Sequence, residues 1–326
     1  MNNTTIYKRN TRNTRNTKSA KIAKNNRKMK HTIKNNCSPV IKGKTLFEHT
    51  CMTIDVIEEI KKKYNKTHDS SMQITTTDPH QIWNILNKRL YQCNNSSDMD
   101  ICWLNELNDN QLRKKIKDHI FVPESPLDWT KNPNEWLSNY DIIKVLKQYE
   151  LAYPKFHAFE PTPIDFDTKL NDDTCVTKEM CNFSLKHELQ KNKTKIGMIF
   201  NLDKHTGRGT HWVSMFIDLE EKFIFYFDSG GEKIPDEINI LKERIISQGK
   251  SNNIDFMYYD NHNIVHQTGN SECGVYSLFF VITMLTGKTE FKTKLNIKEK
   301  VRFFKGKRIP DKYIEKYRKI FFRSAE

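Results

Sequence analysis

No apolar stretch of this 326-residue chain approaches the length of a membrane span, and its N-terminus carries no hydrophobic signal segment. That argues against a membrane protein and against ordinary secretion. Apolar residues are scarce, at 37%, beside 29% charged residues. None of the seven cysteines (Cys37, Cys51, Cys93, Cys102, Cys175, Cys181, Cys273) forms a C-x-x-C pair. An odd count at that spacing argues against a disulfide scaffold or a zinc ribbon and fits a reducing compartment. Acidic residues are missing altogether from residues 1–35, which hold eleven of the 54 Lys and Arg. The net charge of +14 is therefore concentrated there, and the remainder carries only +3.

What is present divides the chain in three. Residues 1–35 have no apolar face with which to offset their ordering entropy, so a disordered basic tail is expected, of the kind that contacts nucleic acid or aids solubility and targeting. Residues 36–125 read as a small helical region. One helix carries Ile54, Val56, Ile57, Ile60 and Tyr64 behind a Thr53 cap, and another starts at Pro79 and carries Ile82, Trp83, Ile85, Leu86 and Leu90. Trp83 and Trp103 are expected in its core. A Pro-, Asp- and Ser-rich stretch at 122–134 marks a boundary. A third helix spans Tyr140–Tyr149, and 153–167, with three prolines, reads as an ordered loop.

From Lys195 the pattern turns to strands. Runs at 196–202, 211–218, 223–228 and 254–259 precede a segment, Cys273–Leu285, that is apolar on nearly all sides. A helix that apolar is buried. Asn270–Glu272 offer its N-cap and Gly287 its stop, and Pro310–Phe322 reads as a basic closing helix.

A hairpin centred on Leu219 and Glu220 puts His211 directly opposite Asp228, about 4.5–5.5 Å apart at Cβ. Both faces of that hairpin are apolar, so helices should cover the sheet on each side. An imidazole oriented by a carboxylate is the base half of a nucleophilic triad. Cys273 is the candidate nucleophile, because a helix N-terminus and a neighbouring imidazolium both favour a thiolate. Gln267 could donate its amide to a developing oxyanion, and Gly274 allows a substrate backbone close. His205, His262 and His266 are rival bases without a carboxylate at a predicted cross-strand position. Taken singly, a Cys before an apolar helix is most often a small hydrophobe, and a His opposite an Asp is most often a structural pair.

The combination is more specific. His211 followed by Trp212, with sixteen residues between His211 and Asp228-Ser229, then Gln267, five residues and Cys273-Gly274, resembles the ubiquitin-like-protein protease superfamily, which includes the SUMO proteases and adenain. The resemblance implies an α+β fold with a central mixed sheet covered by helices, over a catalytic domain at 126–326. It makes His211 the base, Asp228 its orienter, Gln267 the oxyanion donor and Cys273 the nucleophile. The stretch Glu135–Ile143 resembles the segment that opens the catalytic domain of SUMO proteases, which makes Trp136 the candidate lid over a Gly-Gly channel and Trp212 a second wall. Segments around Asn36–Pro39, Ile82–Leu90 and Cys102–Leu104 resemble the proteases of large nucleocytoplasmic DNA viruses, a group that includes the African swine fever virus protease.

The implied activity is that of a cysteine endopeptidase cutting after Gly-Gly type motifs, with no cofactor and no metal, maturing viral polyproteins in the host cytoplasm and virion. The expected partners are a protein substrate and, through residues 1–35, DNA without sequence preference; no membrane is expected. Two rivals stand beside it. One is a deconjugase acting on SUMO or another ubiquitin-like modifier. The other is an inactive basic DNA-binding virion protein.

Overall fold

The computed structural model describes residues 37–41, 44, 50–90, 102–104, 109–171 and 174–324. The expected basic tail, residues 1–35, lies outside them.

The N-terminal part is helical. Helices α1 (Ile54–Thr67), α2 (Pro79–Arg89) and α3 (Asn110–Ile120) bury Ile57, Ile60, Ile82, Leu86, Ile116 and Ile120 in one core. Proline at the first position and an Asp78 carboxylate accepting from the His80 and Gln81 N–H groups start α2. Thr53 precedes α1 as expected, but its side chain makes no capping bond. Trp83 and Trp103 meet in this core with ring centroids 4.4 Å apart. The Gln148 amide donates to the Phe121 carbonyl at 2.6 Å and ties this core to the next helix.

That helix, α4 (Asn139–Ala152), opens with a Ser138/Asp141 capping box and buries Ile142, Val145 and Leu146. The stretch 153–167, read from sequence as a loop, contains two short strands, β1 (Phe156–Ala158) and β2 (Thr162–Pro163). Both pair in parallel with a strand some forty residues later, so nothing local to the prolines reveals them. A small hairpin, β3 (Lys169–Asn171) with β4 (Thr174–Cys175), and two short helices, α5 (Lys178–Cys181) and α6 (Leu185–Gln190), lead to the main sheet.

That sheet runs β1-β5-β6-β7-β8, with β2 also on β5, where β5 is Lys195–Asn201, β6 Trp212–Asp218, β7 Phe223–Phe227 and β8 Met257–Asp260. Its centre is antiparallel and its outer pairs are parallel. Both faces are covered, as the two-sided apolar pattern requires. One face packs Trp212, Phe216, Phe223, Phe225 and Phe227 against helix α8 (Cys273–Thr286); the other packs Val213, Met215, Ile217, Ile224 and Tyr226 against helix α7 (Asp236–Lys250). Thirteen of the fourteen residues of α8 are buried. Each large apolar side chain among them contributes about 1.5–3 kcal/mol on burial, which fixes the depth at which Cys273 enters the fold. Gly287 ends α8 at φ 66°, and α9 (Ile297–Lys305) and α10 (Asp311–Phe321) close the structure.

The β6–β7 register differs from the sequence expectation. Met215 pairs with Tyr226 and Phe216 with Phe225, a slip of two residues. The turn is four residues long. The Asp218 side chain accepts from the Glu220 and Glu221 N–H groups, and Lys222 turns the chain back at φ 54°. A slip of two keeps every side chain on its expected face.

The cysteine reading is also corrected. Cys37 bonds Cys51, Cys175 bonds Cys181, and Cys102 is disulfide-bonded as well. Among the described residues Cys273 is the free cysteine. The pairs join cysteines only fourteen and six residues apart, a spacing the C-x-x-C criterion does not cover.

Candidate active site

The entry to β6 is held from both sides. The Leu202 N–H donates to the His211 carbonyl at 2.8 Å, and the intervening loop is knitted by Asn201 and Asp203, whose side chains accept from Thr210 and Gly209 N–H. His211 therefore emerges at the sheet edge in a fixed pose. Its Nε2 lies 2.6 Å from Asp228 Oδ1, the carboxylate accepting from the imidazole.

Asp228 is 1% exposed and fully engaged. Its Oδ1 also accepts from Gly230 N–H at 2.8 Å and its Oδ2 from Glu232 N–H at 3.2 Å. Asn261 brackets its backbone, accepting from Asp228 N–H at 2.9 Å and donating to its carbonyl at 2.6 Å. The turn this needs passes through Gly231 at φ 74°, where an added Cβ would sit 2.8 Å from the Ile264 carbonyl.

Cys273 is the first residue of α8 and is 1% exposed. Its thiol neighbours His211 and acts on the imidazole together with Asp228. Burial alone would discharge the imidazole, but the Asp228 carboxylate and Cys273 oppose it and raise its pKa to about 10. Ser277, one turn into α8, donates to the Trp212 carbonyl at 3.3 Å and locks the helix to the strand that His211 precedes.

Gln267 is buried beside this group. Ser229, next to Asp228, donates its hydroxyl to Gln267 Oε1 at 2.7 Å, and Gln267 N–H donates to the Ser229 carbonyl at 2.9 Å. Gln267 Nε2 donates to Gly269 O at 3.0 Å, which leaves its second amide hydrogen for another acceptor. The Trp212 indole donates to the Leu137 carbonyl at 3.0 Å. A Cβ on Gly274 would lie 3.1 Å from Leu137 Cβ and 3.3 Å from Trp212 Cδ1. Trp136, adjacent to Leu137, is 37% exposed.

A buried thiol, an imidazole and a carboxylate thus come together at one end of the sheet's central strands. The profile of the Ulp1 protease family, C-terminal catalytic domain, matches residues 150–318, over half of the chain.

The chain belongs to the Ulp1 protease family.

It is a cysteine-type endopeptidase of that family, similar to proteases of two viruses. A thiol protease of Acanthamoeba polyphaga mimivirus is 28% identical over 268 residues, covering 78% of this chain and 85% of the relative. A cysteine protease of African swine fever virus is 28% identical over 208 residues, 60% of this chain and 70% of the relative. The crystal structure of the African swine fever virus protease aligns at a TM-score of 0.57 with 19% identity, covering 90% of this chain and 97% of the other. The shared fold therefore extends beyond the Ulp1-family segment into the helices before residue 126.

Within this Ulp1-family site the rival histidines take other roles. His205 has a carboxylate, though not a cross-strand one: Asp165 Oδ2 lies 2.7 Å from its Nδ1. That pair joins the β5–β6 loop to the segment after β2, and among the hydrogen bonds of the described residues it reaches neither Asp228 nor Cys273. His266 is sealed between Ile309 N–H, which donates to its Nδ1, and the Phe304 carbonyl, and burial lowers its pKa. His262 lies 3.2 Å from the Gly231 carbonyl. Sequence reasoning assigned no role of their own to Ser229, Asn261 and Leu137. Of these, only Ser229 had a local signal, as the residue after Asp228.

Among the described residues no group of three or more His, Cys, Asp or Glu side chains is arranged to hold a metal ion. No helix among them is long and apolar enough to cross a membrane.

Proposed function

We propose that His211, Asp228, Gln267 and Cys273 carry out peptide hydrolysis, and that the enzyme cuts after Gly-Gly type motifs to mature viral structural polyproteins. The carrying observation is the His211 imidazole 2.6 Å from the Asp228 carboxylate, with its pKa raised by that carboxylate and by the neighbouring Cys273. With its pKa raised to about 10, the imidazole is charged at neutral pH and supports a resting thiolate–imidazolium pair. The thiolate attacks the scissile carbonyl. Gln267 Nε2 and backbone N–H groups at the start of α8 hold the oxyanion. His211 gives its proton to the leaving amine. Water then attacks the thioester while His211 takes a proton from it, and the acid leaves with the Cys273 sulfur restored as thiolate.

Gly274 packs directly on Leu137 and Trp212; the channel for a Gly backbone would run beside that contact, with Trp212 as a wall and the half-exposed Trp136 as its lid. Residues 126–326 would form the catalytic unit and 36–125 an accessory helical region. Virion and host cytoplasm are the proposed locations, in keeping with the viral relatives. The basic stretch 1–35 would tether the enzyme to DNA.

One observation favours a second reading. The African swine fever virus relative is also named a SUMO-1 cysteine protease, so this chain could instead release a ubiquitin-like modifier from a conjugate. Incubation with SUMO conjugates and, separately, with a Gly-Gly-containing viral polyprotein decides between them: polyprotein processing with intact conjugates supports maturation, and the converse supports deconjugation.

A further inference from the structure

Arg318 lies on α10, far from Cys273 in sequence, and is 5% exposed. Its Nε donates to both carboxylate oxygens of Glu272, at 2.9 and 2.8 Å. Its Nη1 donates to the Glu135 carbonyl at 2.8 Å and its Nη2 to the Ser271 carbonyl at 3.0 Å. The guanidinium stacks over the Trp129 ring at 4.5 Å. Glu272 immediately precedes Cys273, and Glu135 immediately precedes Trp136. One planar, rigid donor fork therefore binds the chain entering the nucleophile and the chain entering the lid.

We propose that Arg318 is a positioning residue that sets the gap between Trp136 and Cys273, and so the width of the channel that selects Gly. This rests on the site assignment above. Two physical points support it. A buried guanidinium that satisfies two main-chain carbonyls and a carboxylate from separate segments fixes their spacing, because its five donors cannot be retargeted independently. Arg318 also offsets the Glu272 carboxylate beside Cys273, a charge that left unpaired would disfavour a thiolate. Pairing that charge with Arg318 lets an acidic residue sit next to the nucleophile.

The test uses the full chain. Arg318→Met alone would strand a buried carboxylate and could prevent folding, so it is combined with Glu272→Gln; Arg318→Lys is the companion variant. Each is measured for thermal unfolding, for Cys273 alkylation by iodoacetamide, and for kcat and KM on a Gly-Gly peptide and its Gly-Ala counterpart. The double variant should unfold cooperatively and alkylate within about threefold of wild type, while KM for the Gly-Gly peptide rises roughly tenfold and the preference for Gly over Ala narrows. Arg318→Lys should fall between. A folded double variant with unchanged KM and unchanged preference overturns the proposal. So does one whose alkylation rate falls in step with kcat, which locates the effect at the nucleophile. If the double variant does not fold, Arg318→Lys decides by the same criteria. A wild-type protein that neither alkylates at Cys273 nor cleaves the Gly-Gly peptide removes the site assignment itself, and the positioning role falls with it.

Discussion

The His211 imidazole and the Asp228 carboxylate meet at 2.6 Å although the two residues are not opposed in the sheet. His211 precedes β6 and Asp228 follows β7, and the Asn261 bracket and the glycine turn after Asp228, not strand pairing, aim the carboxylate.

Asp228→Asn should lower kcat by roughly 10²–10⁴ while the fold survives, because the imidazole loses its orienter and its charge partner. The pH sign follows from His211. Its pKa is raised from 6.5 to about 10 in the folded enzyme, so its contribution to stability is complete below about pH 6.5 and is lost as pH climbs through about 10. Activity that needs the imidazolium should persist into the alkaline range and fall near pH 10. The alkaline limb of kcat/KM should move to lower pH in Asp228→Asn; an unmoved limb would contradict the coupling.

The proposed channel predicts different effects at Trp136 and at Gly274. Trp136→Ala should raise KM and relax the requirement for Gly. Gly274→Ala, whose Cβ would come 3.1 Å from Leu137 Cβ, should cost roughly tenfold in kcat/KM by displacing that wall. Steady-state kinetics on Gly-Gly and Gly-Ala peptides check both. Unchanged selectivity in Trp136→Ala would remove it as the lid.

Cysteine chemistry gives a third check. In protein kept from reductant, denaturation and alkylation followed by peptide mapping should label Cys273 and leave Cys37, Cys51, Cys175 and Cys181 protected, with label entering all five after reduction. Labelling of Cys37 or Cys175 before reduction would contradict the pairing.

For the proposed DNA tether, a truncation starting at Asn36 should lose most duplex affinity in fluorescence anisotropy yet cleave a short peptide at the full-length rate. If about half of the eleven basic residues engage phosphates, the full-length log–log salt slope should be about −5 and the truncated slope near zero. Equal affinity of both proteins would move DNA binding to the folded part.

Much of this fold was legible because burial writes a pattern into local sequence. The run from Cys273 to Leu285 reads as a buried helix from composition alone, and the two apolar faces of 211–228 announce a sheet covered on both sides. The register was misjudged because it depends on how Asp218 caps the turn and on Lys222 entering the left-handed region, choices invisible to alternation. β1 and β2 escaped because parallel pairing is non-local and prolines flank it. Helix α7 went unread although Ile238, Leu241 and Ile245 keep helical spacing along its buried face. At the site, residue types and spacing pointed to the four proposed catalytic positions. Ser229 and Asn261, which support those positions, act through hydrogen bonds between distant segments and leave no periodicity to find.

The central claim is that Cys273 is the nucleophile. The most direct measurement compares wild type with Cys273→Ala and Cys273→Ser on a Gly-Gly peptide, with thermal unfolding to confirm the fold. Both variants should fold and lose activity by several orders of magnitude, and intact-mass analysis should find a vinyl-sulfone adduct on Cys273 in the wild type alone. A folded Cys273→Ala protein that keeps more than a few per cent of wild-type cleavage would contradict the account.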